Sequence, residues 1–221
     1  ATALVVASLL IFILFPFYWM LKSSFQTNMD IMSIPSIWFP TNFTLEGYAR
    51  ATYMIPFARY ITNSLVISFV TAVIATLLGS SAAYVLARYR FPGATFILFL
   101  FLFTQLIPGI TRIFPIYFLI KNLDLINKYP GLTIAYVSFS LPYAVMMLQG
   151  YFRSSYPLEL EQAALIDGCT WLTAYLRIVL PISMPGIVAI ATYAFLGAWY
   201  DFLWASLIMY QGQMKTIQVG L

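Results

Sequence analysis

The chain has 221 residues, of which 62% are hydrophobic and 8% charged, whereas a soluble domain carries roughly a quarter charged residues; this balance places it among integral membrane proteins. With no histidine and a single cysteine, Cys169, it has no internal disulfide and no His or multi-Cys metal site. Its net charge of +4 is spread thinly between apolar segments without a basic, aromatic-interleaved patch, so membrane lipid and not nucleic acid is the expected surface partner.

A spanning helix needs about 20 apolar residues, which leaves room for about five spans in a single membrane domain over residues 1–221. The first runs from Ala3 to about Met20, with Pro16 near its far end, Phe17, Tyr18 and Trp19 as an aromatic belt, and Lys22 closing it. It has neither the basic start nor the short apolar stretch of a secretory signal. From Ser23 to Arg59 the chain is irregular, with Pro35, Pro40 and Pro56 and no sustained helical period, which puts it outside the hydrocarbon.

Span two is expected from about Tyr60 to Ala87, its second half rich in small residues (Gly79, Ser80, Ser81, Ala82, Ala83) that let helices approach closely in lipid. Arg88 and Arg90 mark a basic turn. Span three follows from Ala94 to about Ile120 and contains Gln105, Pro108-Gly109 and Arg112. A helix broken at membrane depth lines a cavity, because lipid cannot satisfy the freed backbone groups. After a polar loop, Lys121 to Pro130, span four extends from Gly131 to about Phe152 around Pro142.

The longest polar interruption of the second half is Glu159 to Pro185, ELEQAALIDGCTWLTAYLRIVLPISMP. Pro157 suits a first helical position, and Leu158 to Ile166 are good helix formers. Asp167-Gly168 offers a turn in which glycine takes a positive φ. A second helix then starts at Thr170, with Trp171, Leu172, Tyr175, Leu176 and Val179 as its apolar stripe, and Pro181 ends it. Span five is expected from about Gly186 to Met209, with Asp201 among Trp199, Tyr200 and Trp204; Tyr210 to Leu221 reads as another loop. The chain reads as trimmed at both ends.

The spacing in the polar stretch carries a resemblance. Gln162-Ala163-Ala164, three residues, Gly168, nine residues, Ile178, one residue and Leu180-Pro181 resemble the EAA signature of permease subunits of ATP-binding cassette importers, in the form of the carbohydrate-uptake, maltose-transporter branch. PFYWMLKSSF after span one, ITNSL opening span two, YVLARYRFPG after it and WYDFLWA in span five extend the likeness over nearly the whole chain. The resemblance implies an all-α polytopic bundle of the type I importer permease fold, six spans with five present here, and a sixth beyond Leu221. It also implies a second permease subunit, two ATPase subunits holding ATP and Mg, an extracytoplasmic solute-binding protein and a carbohydrate substrate, with no cofactor on this chain.

Under the resemblance Glu161, Gln162, Ala163, Ala164, Asp167, Gly168, Ile178, Leu180 and Pro181 form the cytoplasmic ATPase-coupling element of an inner-membrane protein, the Ala163-Ala164 face entering a groove on the ATPase. Two positions depart from the family pattern: Gln162 stands where a glutamate is usual, and Cys169 where alanine is. Glutamine keeps the hydrogen-bonding reach and loses the charge, and Glu161 lies about 100° around the helix, so it does not take over that contact. Charge gives no independent orientation, since the side holding this element has four Lys/Arg (Arg88, Arg90, Arg153, Arg177) and the other six (Lys22, Arg50, Arg59, Lys121, Lys128, Lys215).

Asn63, Gln105, Pro108 and Asp201 are candidates for the solute pathway; Asn63, Gln105 and Pro108 equally suit ties between helices, and Arg112 and Asp201 suit interfacial or structural roles. The phosphate-cradling pattern GxxxxGK[ST] is absent, and no glycine precedes a lysine, so ATP hydrolysis falls to a partner and the chain is not read as an enzyme. The alternative from another class is an ion-coupled secondary transporter working through Arg112 and Asp201. Such folds show paired broken helices, and the sequence has one clear break, at Pro108-Gly109.

Overall fold

The computed structural model describes residues 2–40 and 42–221, and they are helical without a strand among them. The chain divides into two compact units, one up to Ala58 and one from Arg59 on.

In the first unit, α1 (Thr2–Ser24) keeps Pro16 inside it and buries only Lys22. Its large apolar side chains other than the half-buried Trp19 are exposed, as a lipid-facing helix requires. At 23 residues it reaches about 35 Å, enough for a hydrocarbon core of about 30 Å. The segment after it folds back on its end. Trp38 packs against Phe15 and Trp19, Tyr18 Oη donates to the Trp38 carbonyl, and Lys22 Nζ donates to Ile37 O at 2.7 Å while lying 3.8 Å above the Trp19 ring. Contrary to the expected irregular stretch, it contains a helical turn, α2 (Asn28–Ile31), and a helix, α3 (Glu46–Met54). Thr44 Oγ1 accepts from Glu46 N at 3.1 Å, and Glu46 pairs with Arg50 one turn on at 2.6 Å; this local support replaces the apolar stripe that sequence periodicity looks for.

The second unit is built around α7 (Tyr129–Ser154), which carries Pro142 inside it. The long α4 (Phe57–Arg88) lies against it, its small residues used as expected: Ala83 and Tyr84 share one buried cluster with Ala144, Leu148 and Phe152. Ser80 Oγ accepts from Tyr175 Oη at 2.9 Å. Both helices are long and apolar enough to cross a membrane.

The third expected span is two helices, α5 (Ala94–Leu106) and α6 (Ile113–Asn122), joined through a 3-10 turn at Gly109–Arg112 and bent by 100°. With 13 residues, α5 reaches about 20 Å and does not cross the hydrocarbon by itself. Pro108 lacks the N–H a continuing helix needs and forces Ile107 into extended backbone, ψ 119°.

The short helix of the polar stretch, α8 (Glu159–Ile166), begins two residues after Pro157, so that proline precedes the helix and is not its first residue. The next helix, α9, runs over Trp171–Ile182 and passes through Pro181 instead of ending there. Its middle, Tyr175–Val179, is a π-turn in which Leu180 N reaches back to Tyr175 O, and this wider turn accommodates the proline ring that would strike the carbonyl four residues earlier. A bend of 79° then leads into α10 (Met184–Tyr200), so the chain has two bent pairs where one break was expected.

The fifth expected span also stops early. It breaks at Asp201, and a separate helix, α11 (Leu203–Ile208), follows. The last residues are not a free loop: α12 (Ile217–Gly220) is tied to α4, where Asn63 Nδ2 donates to the carbonyls of Gln213 and Lys215 at 2.9 and 2.8 Å and Ile217 N donates to Ser64 Oγ at 2.9 Å. Among the described residues three helices are long and apolar enough to cross a membrane, or up to five if each bent pair is one span.

Close approach of backbones makes one glycine decisive. A Cβ at Gly131 would lie 2.2 Å from the Leu125 carbonyl oxygen, whereas at Gly150 it would meet nothing within 4 Å. Gly131→Ala is therefore expected to cost about 1–3 kcal/mol and Gly150→Ala nearly nothing, as read by the thermal midpoint of the detergent-solubilised protein.

Candidate functional site

The polar stretch forms a helix, a glycine elbow and a helix. At the end of α8, Gly168 N donates to Leu165 O and Cys169 N to Ala164 O, at 3.1 and 2.9 Å, and Gly168 takes φ +89°. These paired bonds with a left-handed glycine make a Schellman cap, which satisfies the orphan carbonyls of the helix end and reverses the chain direction. Thr170 then caps α9 by accepting from Thr173 N at 3.2 Å.

The inner face of α8 is fixed by charge. Glu161 is completely buried, its Oε1 2.6 Å from Arg88 Nε and its Oε2 accepting from Tyr84 Oη at 2.8 Å. The Arg88 side chain is itself buried, and its guanidinium sits 4.5 Å from the Tyr156 ring centre. Burial pushes the Tyr156 phenol up to about 12, so it stays neutral beside the pair. Among the described residues this is the buried ion pair; the other, Arg50–Glu46, is exposed.

Gln162, Ala163, Asp167 and Gly168 are exposed, and so is Ile166, at 87% of its surface. Ala164 is buried. The expected Ala163-Ala164 face therefore does not exist as one surface, because consecutive residues point about 100° apart on a helix. The outward surface is instead Gln162, Ala163, Ile166 and Asp167. Along α9, Ala174, Tyr175 and Val179 are buried while Trp171, Leu172 and Leu176 of the expected stripe are exposed. Ile178 and Leu180 are half-buried and Pro181 is exposed.

A concavity of about 230 Å³ lies where the Gly109–Arg112 turn, α7 and the α10–α11 break meet. Gly109, Arg112, Tyr136, Tyr193, Asp201 and Trp204 are among its walls, so the broken third segment does line a cavity. Asp201 Oδ1 accepts from Tyr136 Oη at 2.9 Å and from the N–H groups of Trp204 and Ala205 at 2.9 and 3.2 Å. The carboxylate thereby caps α11 and holds Tyr136. The Arg112 guanidinium lies 4.6 Å from the Phe139 ring centre. Of the residues expected near a solute path, Asp201 lines this cavity, whereas Gln105 and Pro108 are exposed elsewhere. Asn63 is buried, and its Oδ1 accepts from Tyr129 Oη at 2.6 Å in addition to its two donated bonds; its amide is a tie between α4, α7 and the C-terminal segment. No group of three or more metal-ligating His, Cys, Asp or Glu occurs among the described residues.

The sequence offers Arg88 only as part of a basic turn, and gives Tyr84, Tyr136 and Ile166 no site role. Arg88 and Glu161 are 73 residues apart, so no local spacing signals their pairing. Ile166 could have been found, as an apolar residue on the polar flank of a short helix.

The family model for the binding-protein-dependent transport system inner membrane component matches residues 75–220. The diacetylchitobiose uptake system permease protein DasC of Streptomyces coelicolor is 30% identical over 213 residues, 96% of this chain and 77% of that protein. The inner membrane ABC transporter permease protein YcjP of Escherichia coli is 37% identical, over 97% of this chain and 77% of its own length. The trehalose transport system permease protein SugB of Mycobacterium tuberculosis is 32% identical, over 87% and 69% respectively.

Removing one partner of a buried pair leaves the other charge without compensation. Glu161→Leu is expected to destabilise the protein by about 3–5 kcal/mol, while the double replacement Glu161→Leu with Arg88→Met recovers most of that loss. Thermal unfolding of the four members of this cycle measures the coupling.

Proposed function

Because this chain belongs to the binding-protein-dependent transport system inner membrane component family, we propose that it is the transmembrane permease subunit of an ATP-driven importer, with its helix-elbow-helix as the ATPase-docking element. The observation that carries this reading is the division of α8 into two faces. Glu161 and Ala164 lock its back onto the protein, while Gln162, Ala163, Ile166 and Asp167 are left exposed. A helix anchored by a buried ion pair moves with the helix it is anchored to, so a push on its outer face reaches α4 as a rigid-body displacement. Ile166 supplies an apolar contact and Gln162 a neutral hydrogen-bonding one.

In this reading the element faces the cytoplasm, two ATPase subunits dock there and hold ATP and Mg, a second permease completes the passage, and an extracytoplasmic binding protein delivers the solute. The chain itself catalyses nothing and carries no cofactor. The solute is a saccharide: DasC is a permease of diacetylchitobiose uptake and SugB of trehalose transport. The cavity beside Arg112, Asp201 and Trp204 suits such a solute, offering charged and hydroxyl groups next to aromatic rings. Asp201 is its strongest candidate contact because its Oδ2 is not used by the three bonds that fix Oδ1. The pathway also passes the bend at Pro108, with Gln105 one turn before it; Asn63 stays outside it as a helix tie.

The test is co-purification and turnover of the assembled complex. Ile166→Asp is expected to weaken ATPase binding about tenfold, or about 1.4 kcal/mol, without lowering the thermal midpoint of the permease. Gly168→Val forces a branched side chain into a left-handed backbone and is expected to abolish solute transport while each subunit still folds. Gln162→Glu is expected to raise solute moved per ATP. An ATPase subunit that fails to co-purify, together with unimpaired transport by Gly168→Val, would falsify the importer reading.

A further inference from the structure

Another concavity, about 370 Å³, lies where the end of α4, the Arg88-to-Gly93 turn, the start of α5 and the last turn of α7 come together. Arg90 and Arg153 both line it, with Tyr89 and Thr95 as further polar walls and Leu86 and Leu98 as apolar ones. No acidic residue lines it. Among the described residues the ion pairs are Arg50–Glu46 and Arg88–Glu161, so neither Arg90 nor Arg153 has a carboxylate at pairing distance. Arg153 Nη2 donates to Leu86 O at 3.3 Å, which steadies its guanidinium at the cavity wall and leaves most of its five N–H groups for another acceptor.

The position of these residues along the chain sets the chemistry of the missing acceptor. Leu86 is two residues from the end of one membrane-crossing helix, Arg153 one residue from the end of another, and Leu98 lies in the second turn of the apolar α5. One end of the cavity is therefore at the level where spans leave the hydrocarbon, and the other continues along apolar side chains. Guanidinium groups bind phosphate oxygens with paired hydrogen bonds, and basic pockets between spans at this level suit anionic headgroups. We propose that this cavity is a binding site for an anionic phospholipid, its phosphodiester held between Arg90 and Arg153 and the beginning of its acyl chains along Leu86 and Leu98. This rests on the chain crossing a membrane and not on the importer reading.

Lipid bound here would tie the α4–α5 turn to the end of α7, two residues from the Arg88 that anchors α8. Headgroup composition of the bilayer would then act on the same part of the protein that carries the docking helix.

Native mass spectrometry of the full chain, purified in detergent with the subunits that accompany it, tests this with three probes: dioleoylphosphatidylglycerol, dioleoylphosphatidylcholine and inorganic phosphate. Phosphatidylglycerol is expected to bind at least tenfold more tightly than phosphatidylcholine, and the double variant R90Q/R153Q to lose that preference. R90K/R153K is expected to keep most of it, which separates loss of charge from loss of fold. Equal phosphatidylglycerol binding by the wild type and R90Q/R153Q overturns the proposal. So does displacement of the lipid by millimolar phosphate, which would make this a site for a free anion, and so does loss of an accompanying subunit from R90Q/R153Q with lipid binding unchanged, which would assign the arginines to a protein contact.

Discussion

Hydrocarbon offers no hydrogen bonds, and that constraint explains where this chain is straight and where it turns. The helices α1, α4 and α7 run unbroken over 23, 32 and 26 residues, α1 and α7 each with a proline inside. At two of the breaks the local structure changes to suit the freed groups. At Pro108 the chain tightens into a 3-10 turn, and at Asp201 a carboxylate accepts the N–H groups that α11 would otherwise leave open. The carboxylate of Asp201 is thus first of all a repair to the backbone. Asp201 shows that the same residue can make such a repair and still present an oxygen to a cavity.

The buried pair between Arg88 and Glu161 solves a different problem. A short amphipathic helix such as α8 has too little apolar area to hold a fixed orientation by burial alone. Its eight residues are instead oriented by one charge-assisted contact, backed by Tyr84 and roofed by Tyr156. Because the pair is buried, it tolerates neither partner alone and so specifies orientation more than it adds stability. The glycine elbow turns the chain, and the ion pair decides which side of the helix faces out.

Much of this architecture was legible in the sequence because its signals are local. Hydrophobic length located α1, α4 and α7, the Asp167-Gly168 pair located the elbow, and Pro108-Gly109 located the sharpest bend. The illegible parts depend on partners far along the chain. Nothing around Glu161 announces that it turns inward, because the reason is Arg88. Asp201 was visible as a charge within an apolar run, but its role as a helix cap requires knowing that α10 stops at Tyr200. The C-terminal residues looked like a loop because their polar backbone is satisfied by Asn63 and Ser64, two side chains on a helix that begins the second unit.

The π-turn at Tyr175–Val179 sets a rule about length. One extra residue in a helical turn advances everything beyond it by about 100° around the axis, so the two halves of α9 are out of phase by a fixed angle. The first half continues from the elbow and the second feeds the 79° bend into α10. Deleting or inserting one residue between Gly168 and Pro181 would leave every side chain chemically intact and yet turn the elbow by over a quarter revolution against the bundle. The interval between them works as an angular gauge, and what it preserves is a bearing between two surfaces instead of a contact.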